Sequence, residues 1–416
     1  MFKYYIYAIL LVLQFCSVSQ ASDLIELNSL LNEAYKVNAS IKTHKNRLDA
    51  AESLISSKYT LDDPMIGVSN LERGNDTTYG VISQKIRFPV KYYLQGKAQK
   101  SRSRAAKADF QNQRNEVRKA VTVLYYSLFS LQKIIQLTEA NMQAVRDFSR
   151  VAERKYAAGK SSQGDSMKAH VELTRLELDL IRFKQQEDAM QAGLAAIMNN
   201  PSFNKLDFKG VELNVPVFNS TLLDASVNEV IKTLKESSPK IKKENYLLDA
   251  AKTQSTLAKW EFAPDIQLQY QERISGQPED SRIYSVSLSL PLWFWKKGAE
   301  SSAANSLKMA QEYKYQSHID HLLAKIKDLK GKVSVGQKTL NIYKTSLIPQ
   351  AQGAYNSSKA SYRANKTTFL DLLDSERSLF GVRTGYYNAL KDYVSNLLEL
   401  ETELGFVVSD LDQGEL

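Results

Sequence analysis

The sequence predicts a mainly α-helical protein with a small β part, a tandem repeat of long coiled-coil helices plus β-hairpins. Three observations predict it. The first is internal repetition. Leu48-Asp49-Ala50-Ala51 recurs as Leu248-Asp249-Ala250-Ala251, Pro64 as Pro264, and Pro89 as Pro291. Tyr156-Ala157-Ala158-Gly159-Lys160 recurs as Tyr362-Arg363-Ala364-Asn365-Lys366, and Asp165 then matches Asp371. Landmarks that keep their order and nearly their spacing mark a repeat architecture. The second is proline punctuation: no proline falls between Pro89 and Pro201, so a long helix is free to form there. The third is a pair of short stretches in each repeat where apolar and polar residues alternate, the period of a strand.

Taken in order, Met1 to Ala21 has a short basic start, an apolar run from Tyr4 to Phe15, and small residues at Ser19 and Ala21. Residues 1–21 therefore read as a secretory signal peptide. Cys16, the only cysteine, lies inside it. Lipid attachment there is an alternative, although Gln14 and Phe15 are poor neighbours for that processing. A mature chain without cysteine has no disulfide or thiol chemistry. Residues 22–200 form the first repeat, with strands at about 64–72 and 79–88 and long helices at about 95–158 and 163–198. Residues 201–222, rich in Asn, Ser and Val, read as a linker. Residues 223–405 form the second repeat, with strands at about 264–274 and 282–290 and helices at about 299–364 and 367–405, and 406–416 is a C-terminal tail.

The helices carry coiled-coil spacing. Val117, Val121, Leu124, Leu128, Leu131, Ile135, Met142 and Val145 step by fours and threes, with Thr138 in one slot. Leu322, Ile326, Leu329, Val333, Leu340, Tyr343 and Leu347 do the same, with Gly336 in one slot. Such spacing packs helices along their length. At 1.5 Å per residue the helix from 95 to 158 would be roughly 95 Å long, too long for a globular core and suited to a tube wall.

In the strands, Tyr284, Val286, Leu288 and Leu290 alternate with serines, and Ile266, Leu268 and Tyr270 with glutamines. One face suits lipid and the other is polar, at a length that crosses a bilayer when tilted. Trp260, Trp293 and Trp295 lie at the ends of the second pair away from its turn, and Phe88, Tyr92 and Tyr93 take the same place in the first. Aromatics there read as a membrane-interface girdle in outer-membrane lipid. Four strands cannot close a barrel. An open edge in lipid leaves backbone groups unpaired at several kcal/mol each, so more than one copy is needed.

Composition narrows the class further. Mean hydropathy is −0.37, and no apolar run of spanning length follows the signal, which excludes a helical membrane protein. The net charge is +9, but export and the lack of a recognition motif argue against nucleic acid. No phosphate loop or nucleophile constellation is visible, so the reading is not an enzyme and takes no cofactor. His318 and His321 sit at i and i+3, but four histidines and no mature cysteine do not make a metal site. Eleven Lys or Arg against two acids between Lys85 and Lys119 read as a solvated helix face, or as a basic collar or tunnel lining.

This order of helix, hairpin, long helix and returning helix, with its paired Tyr-x-x-Gly/Asn-Lys motif followed by Asp, resembles the TolC-type outer-membrane efflux family over nearly the whole mature chain. The resemblance implies a homotrimer with a 12-stranded barrel on an α-helical periplasmic tunnel. It implies a periplasmic adaptor and an inner-membrane transporter as partners. By the same match the two turns form an adaptor-docking tip with Tyr156, Gly159, Lys160, Tyr362, Asn365 and Lys366. A purely structural turn is the other reading, since Gly159 and Asn365 suit left-handed helix ends and Ser161, Ser162, Thr367 and Thr368 can cap the next helix. Asp371 and Asp374 match the family's pore constriction, against the reading of two solvated acids. The family's arginine latch has no counterpart here: Thr367 cannot form an ion pair, though Lys366 could substitute.

Asp62-Asp63-Pro64-Met65 and Ser83-Gln84 look like the family's metal-cation branch, whose members export copper, silver, cobalt, zinc or cadmium. The expected function is a passive exit duct of a tripartite efflux pump, leaning to heavy-metal cations. Multidrug efflux or type I protein secretion is the alternative cargo. A non-pore structural coiled coil is the alternative of another class.

Overall fold

The computed structural model describes residues 27–70, 78–159, 162–218, 227–275 and 282–409. The signal segment with Cys16, both hairpin turns and Lys160 lie outside the described residues. Two short helices, α1 (Leu27–Val37) and α2 (Ala39–Tyr59), lead to strands β1 (Met65–Asn70) and β2 (Thr78–Ile86). Helices α3 (Pro89–Ala157) and α4 (Gln163–Ile197) complete the first half. The second half repeats this order: α5 (Val227–Ser237), α6 (Pro239–Trp260), β3 (Asp265–Ser275), β4 (Arg282–Ser289), α7 (Phe294–Ile342), α8 (Ile348–Arg363) and α9 (Phe369–Leu404). The protein is mainly helical with one small antiparallel sheet.

Helix α3 has 69 residues, roughly 100 Å at 1.5 Å per residue. It starts at Pro89 rather than near 95, because a proline at the first helical position costs no hydrogen bond. The expected single helix over 299–364 is interrupted. A π-helical turn spans Tyr343–Leu347, directly ahead of Pro349. Pro349 has no N–H to give the preceding turn, and one widened turn absorbs the mismatch.

The strand order is β1-β2-β3-β4, all antiparallel. Each hairpin belongs to one repeat, and the β2–β3 ladder joins them, with Ile82 opposite Tyr270. The outer edges of β1 and β4 have no ladder partner among the described residues.

Two hydrophobic cores line the helices. The larger gathers Val121, Leu128 and Phe129 of α3 with Ile326 and Val333 of α7 and Leu397 and Leu400 of α9. Here α3 is buried on every side between Tyr125 and Ile135, where heptad spacing foresees a single stripe. The cause is the segment read as a linker. Its Leu206, Phe208 and Phe218 are buried in this core. Its backbone is held by two buried glutamines: Gln132 accepts from the Phe208 N–H at 2.7 Å, and Gln191 accepts from the Leu206 N–H at 3.1 Å. An irregular chain carries no hydrophobic period, so its packing was invisible in sequence. The smaller core, near the ends of α3 and α8, joins Val145, Phe148, Leu176, Tyr362, Phe369 and Leu373.

Candidate functional site

The sheet forms one end of the molecule. Its register puts Ile66, Ile82, Tyr270 and Tyr284 in one row, then Leu268 and Val286, then Ile86, Ile266 and Leu288. This face is bare: Ile66 is 80% and Tyr284 76% exposed. Exposed apolar rows of this extent mark a surface made for lipid or a partner. The opposite face carries Ser83, Gln269 and Ser285 in one row and Lys85, Gln267 and Ser287 in the next.

The six aromatics of the expected girdle divide into three groups. Tyr93, Trp293 and Trp295 are exposed. Phe88, just ahead of α3, and Trp260, at the end of α6, stack at 5.4 Å between ring centres, and Trp260 remains 39% exposed. Tyr92 is buried, and its hydroxyl accepts from the Arg87 N–H at 3.0 Å, so it does not face a membrane interface. Its place on the inner side of the first turn of α3 gives it that structural job.

Between sheet and helices runs a polar collar that sequence reasoning missed. Lys91 is only 2% exposed. Its ammonium meets the Asp265 carboxylate at 2.7 Å and donates to the Ala263 carbonyl at 2.9 Å. A buried ion pair of this kind binds the first repeat to the second, with Glu261 at 3.6 Å from Lys91 and Lys85 at 3.5 Å from Asp265 as weaker second partners. Arg87 grips Asp62 with two hydrogen bonds, at 3.0 and 2.9 Å. The Gln84 amide donates to the Asp62 carbonyl at 2.6 Å. Asp62 and Gln84 of the metal-branch motif thus meet, in a structural contact. Read as a run of charge, residues 85–119 hide this, because no spacing rule marks which lysine turns inward.

At the opposite end, two turns connect α3 to α4 and α8 to α9. Gly159 and Asn365 both adopt left-handed conformations, with φ of 69° and 58°. The Gly159 N–H bonds to the Tyr156 carbonyl at 2.8 Å and the Asn365 N–H to the Tyr362 carbonyl at 3.2 Å. Ser162 caps α4 by accepting from the Gly164 N–H at 3.0 Å. Thr368 caps α9 in a reciprocal box: it accepts from the Asp371 N–H at 3.2 Å, while Asp371 accepts from the Thr368 N–H at 2.9 Å. These bonds hold the Asp371 carboxyl below its usual range.

Of the tip residues, Tyr156, Gly159, Asn365 and Lys366 are exposed. Tyr362 is not: it is 5% exposed, with the Lys155 ammonium 3.7 Å from its ring centre and Phe369 packed edge-on at 6.0 Å. Its side chain therefore holds the turn and is not presented to a partner. Asp371 and Asp374 lie on one exposed helix face. Asp374 is 3.7 Å from Arg377, which also reaches Glu172 of α4 at 2.5 Å. Sequence reasoning looked for an arginine near Thr367; the arginine that pairs with acids in this region is Arg377. Thr367 forms no ion pair, and its hydroxyl is buried without a partner. No group of three or more His, Cys, Asp or Glu among the described residues is placed to hold a metal.

An apolar-faced sheet on a helical shaft of this length defines an outer-membrane channel architecture, and comparison with known proteins agrees. The chain matches the model of the outer membrane efflux protein family at residues 94–200 and 230–405, and it belongs to that family. It is an outer-membrane efflux channel extending into the periplasm. It is 22% identical over 374 residues to the cobalt-zinc-cadmium resistance protein CzcC of Cupriavidus metallidurans, covering 89% of this chain and 88% of that protein. Among solved structures it resembles CusC, with a TM-score of 0.77 at 15% identity over 91% of this chain and 92% of that one. It also resembles the outer membrane protein VceC of Vibrio cholerae, with a TM-score of 0.76 at 18% identity over 92% and 96%. These two likenesses are of fold.

Proposed function

We propose that the chain is the passive outer-membrane duct of a tripartite pump and that its cargo is heavy-metal cations. The observation that carries the duct is the four-stranded sheet, apolar on one face and unpaired at both edges, on long helices. In lipid those edges need partners, and three copies supply about twelve strands, within the known range of outer-membrane barrels. Residues 22–200 and 223–405 are then the two repeats that each copy contributes. Energy comes from an inner-membrane transporter, reached through a periplasmic adaptor that docks on the exposed tip at Tyr156, Gly159, Asn365 and Lys366, with Lys160 assigned to docking from the motif alone. Three copies of Asp371 and Asp374 ring the narrow end, and crowded carboxylates favour cations. The lean to metals rests on the resistance named for CzcC and on the Asp62-Asp63-Pro64-Met65 motif.

Deleting the gene and titrating growth against metal salts, lipophilic drugs and detergents tests the cargo. Sensitivity confined to metal cations, with raised cell-associated metal, is the expected result. Drug sensitivity without a metal effect, or loss of secreted proteins, would move the duct to the other cargoes. For the constriction, Asp374→Asn is the clean variant, because Asp371 also closes the α9 capping box. Reduced cation preference in bilayer recordings is expected, and unchanged preference would remove Asp374 from the constriction.

A further inference from the structure

Glu376 lies on α9, less than two helical turns from Asp371 and Asp374, and is 5% exposed. A charged carboxylate is costly in such a place unless it is paired. Glu376 is not: its Oε2 has no hydrogen-bond partner. Asn141 faces it from α3, equally buried, and neither its amide nitrogen nor its oxygen makes a hydrogen bond of good geometry. Glu172 faces it from α4, but the adjacent cation, Arg377, is already engaged with Glu172 at 2.5 Å and with Asp374. Beside the pair lies a cavity of about 290 Å³. Gln352 and Tyr355 of α8 and Arg383 of α9 also line it, and the Arg383 guanidinium is bonded to the Gln352 amide at 2.6 Å. A cavity with orphaned polar groups has room for water and the partners to hold it.

We propose that Glu376 is a proton-operated switch in the tunnel wall: protonated it keeps α3, α4 and α9 closed together, and ionised it drives the seam apart and widens the narrow end. The inference rests on the duct reading above. Protonated, Glu376 donates to Asn141 and leaves Arg377 to Glu172. Ionised, it places a second buried negative charge beside Glu172, and the cavity admits water to solvate it as the helices separate. Burial pushes the carboxyl up to about 7; Glu172 adds to this, while Asn141 and Arg377 oppose it. An open form that solvates Glu376 would return it to its ordinary value of 4.5. The open-to-closed ratio then rises with pH between those values by roughly two orders of magnitude and is level above them. The Asp371 carboxyl is held low, so it does not titrate in this window.

The test is single-channel conductance of the full chain in planar bilayers from pH 5 to 8, for the native chain and for Glu376→Gln. Infrared difference spectra of the carboxyl band follow the same titration. The expected native result is conductance that climbs towards neutrality and levels off, together with loss of a protonated-carboxyl band. Glu376→Gln should stay at the low-conductance level throughout and lack the band. A native channel that conducts equally at pH 5 and 8, or a Glu376→Gln channel that keeps the step, would overturn the switch alone. A chain that conducts at no pH would overturn the duct reading, and the switch with it.

Discussion

The two turns at the tip share one motif and bury it differently. Both break their helices with a left-handed residue, Gly159 or Asn365, and both restart with a hydroxyl cap, Ser162 or Thr368. Yet Tyr156 is 49% exposed and Tyr362 only 5%. The same offset pairs buried Glu376 with His170, which is exposed and stands 3.4 Å from Glu153 on the surface. The first tip is a turn and little else. The second is a packed unit, with Tyr362 between Lys155 and Phe369, a full capping box, and a buried carboxyl behind it. Repetition thus conserves the backbone device, and packing decides what each copy does with it.

The largest test of this contrast is aromatic truncation. Tyr362→Ala should destabilise its tip by about 3 kcal/mol, the cost of emptying a buried aromatic site. Tyr156→Ala should change stability by less than about 0.5 kcal/mol, as exposed positions do. Hydrogen exchange of residues 355–375 and 150–165 reads each tip separately. Equal protection losses at the two tips would end the comparison. Adaptor cross-linking sharpens it further: loss with Tyr156→Ala while the tip stays protected would mark Tyr156 as a docking residue.

Next in size is the pH dependence of the second tip. Glu376 has its proton affinity raised on folding, so the folded form holds the proton more tightly than the unfolded chain. Stability from this group is fully present below 4.5, falls as pH rises to about 7, and is level beyond. The span is worth roughly 3 kcal/mol at 1.4 kcal/mol per pH unit. Exchange protection of α9, corrected for intrinsic chemistry, should fall over that window and stay level in Glu376→Gln. The first turn, residues 150–165, should show no such fall, because the position equivalent to Glu376 is the exposed His170.

Much of this was legible in the sequence, and the reason is periodicity. The repeat, the long helices, the hairpins and both left-handed turns all follow from spacing or from a residue type that a backbone shape demands. What stayed hidden depends on contacts between elements distant in sequence. Lys91 sits among eleven basic residues, and only its bond to Asp265 in the other repeat sets it apart. The 203–218 segment has no period, so its burial on α3 has no signature. Glu376 follows Asp374 and Ser375 as one more polar residue on a helix, and only the approach of α3 and α4 makes it a buried acid. Tyr362 matches Tyr156 in the motif, so no motif could separate their fates.

A third difference lies in the caps. Thr368 and Asp371 satisfy two backbone N–H groups reciprocally, while Ser162 satisfies one. Thr368→Ala should therefore cost about 1–2 kcal/mol and Ser162→Ala about 0.5–1 kcal/mol. Fraying of the first turn of α9 against that of α4, read by exchange, checks the order. A reversed order would show that packing of Phe369, and not the cap, anchors α9.

The smallest effects belong to the turn residues themselves. A Cβ on Gly159 meets nothing within 4 Å, so Gly159→Ala costs only the left-handed backbone, about 1 kcal/mol. Asn365 already carries a side chain at φ 58°, and Asn tolerates that region through local hydrogen bonding. Asn365→Gly should be close to neutral, since glycine relieves the backbone but gives the unfolded chain more freedom. Asn365→Ala should match Gly159→Ala. If it costs clearly more, the Asn365 amide does something beyond permitting the turn, and the second tip departs from the first in its backbone as well as its packing.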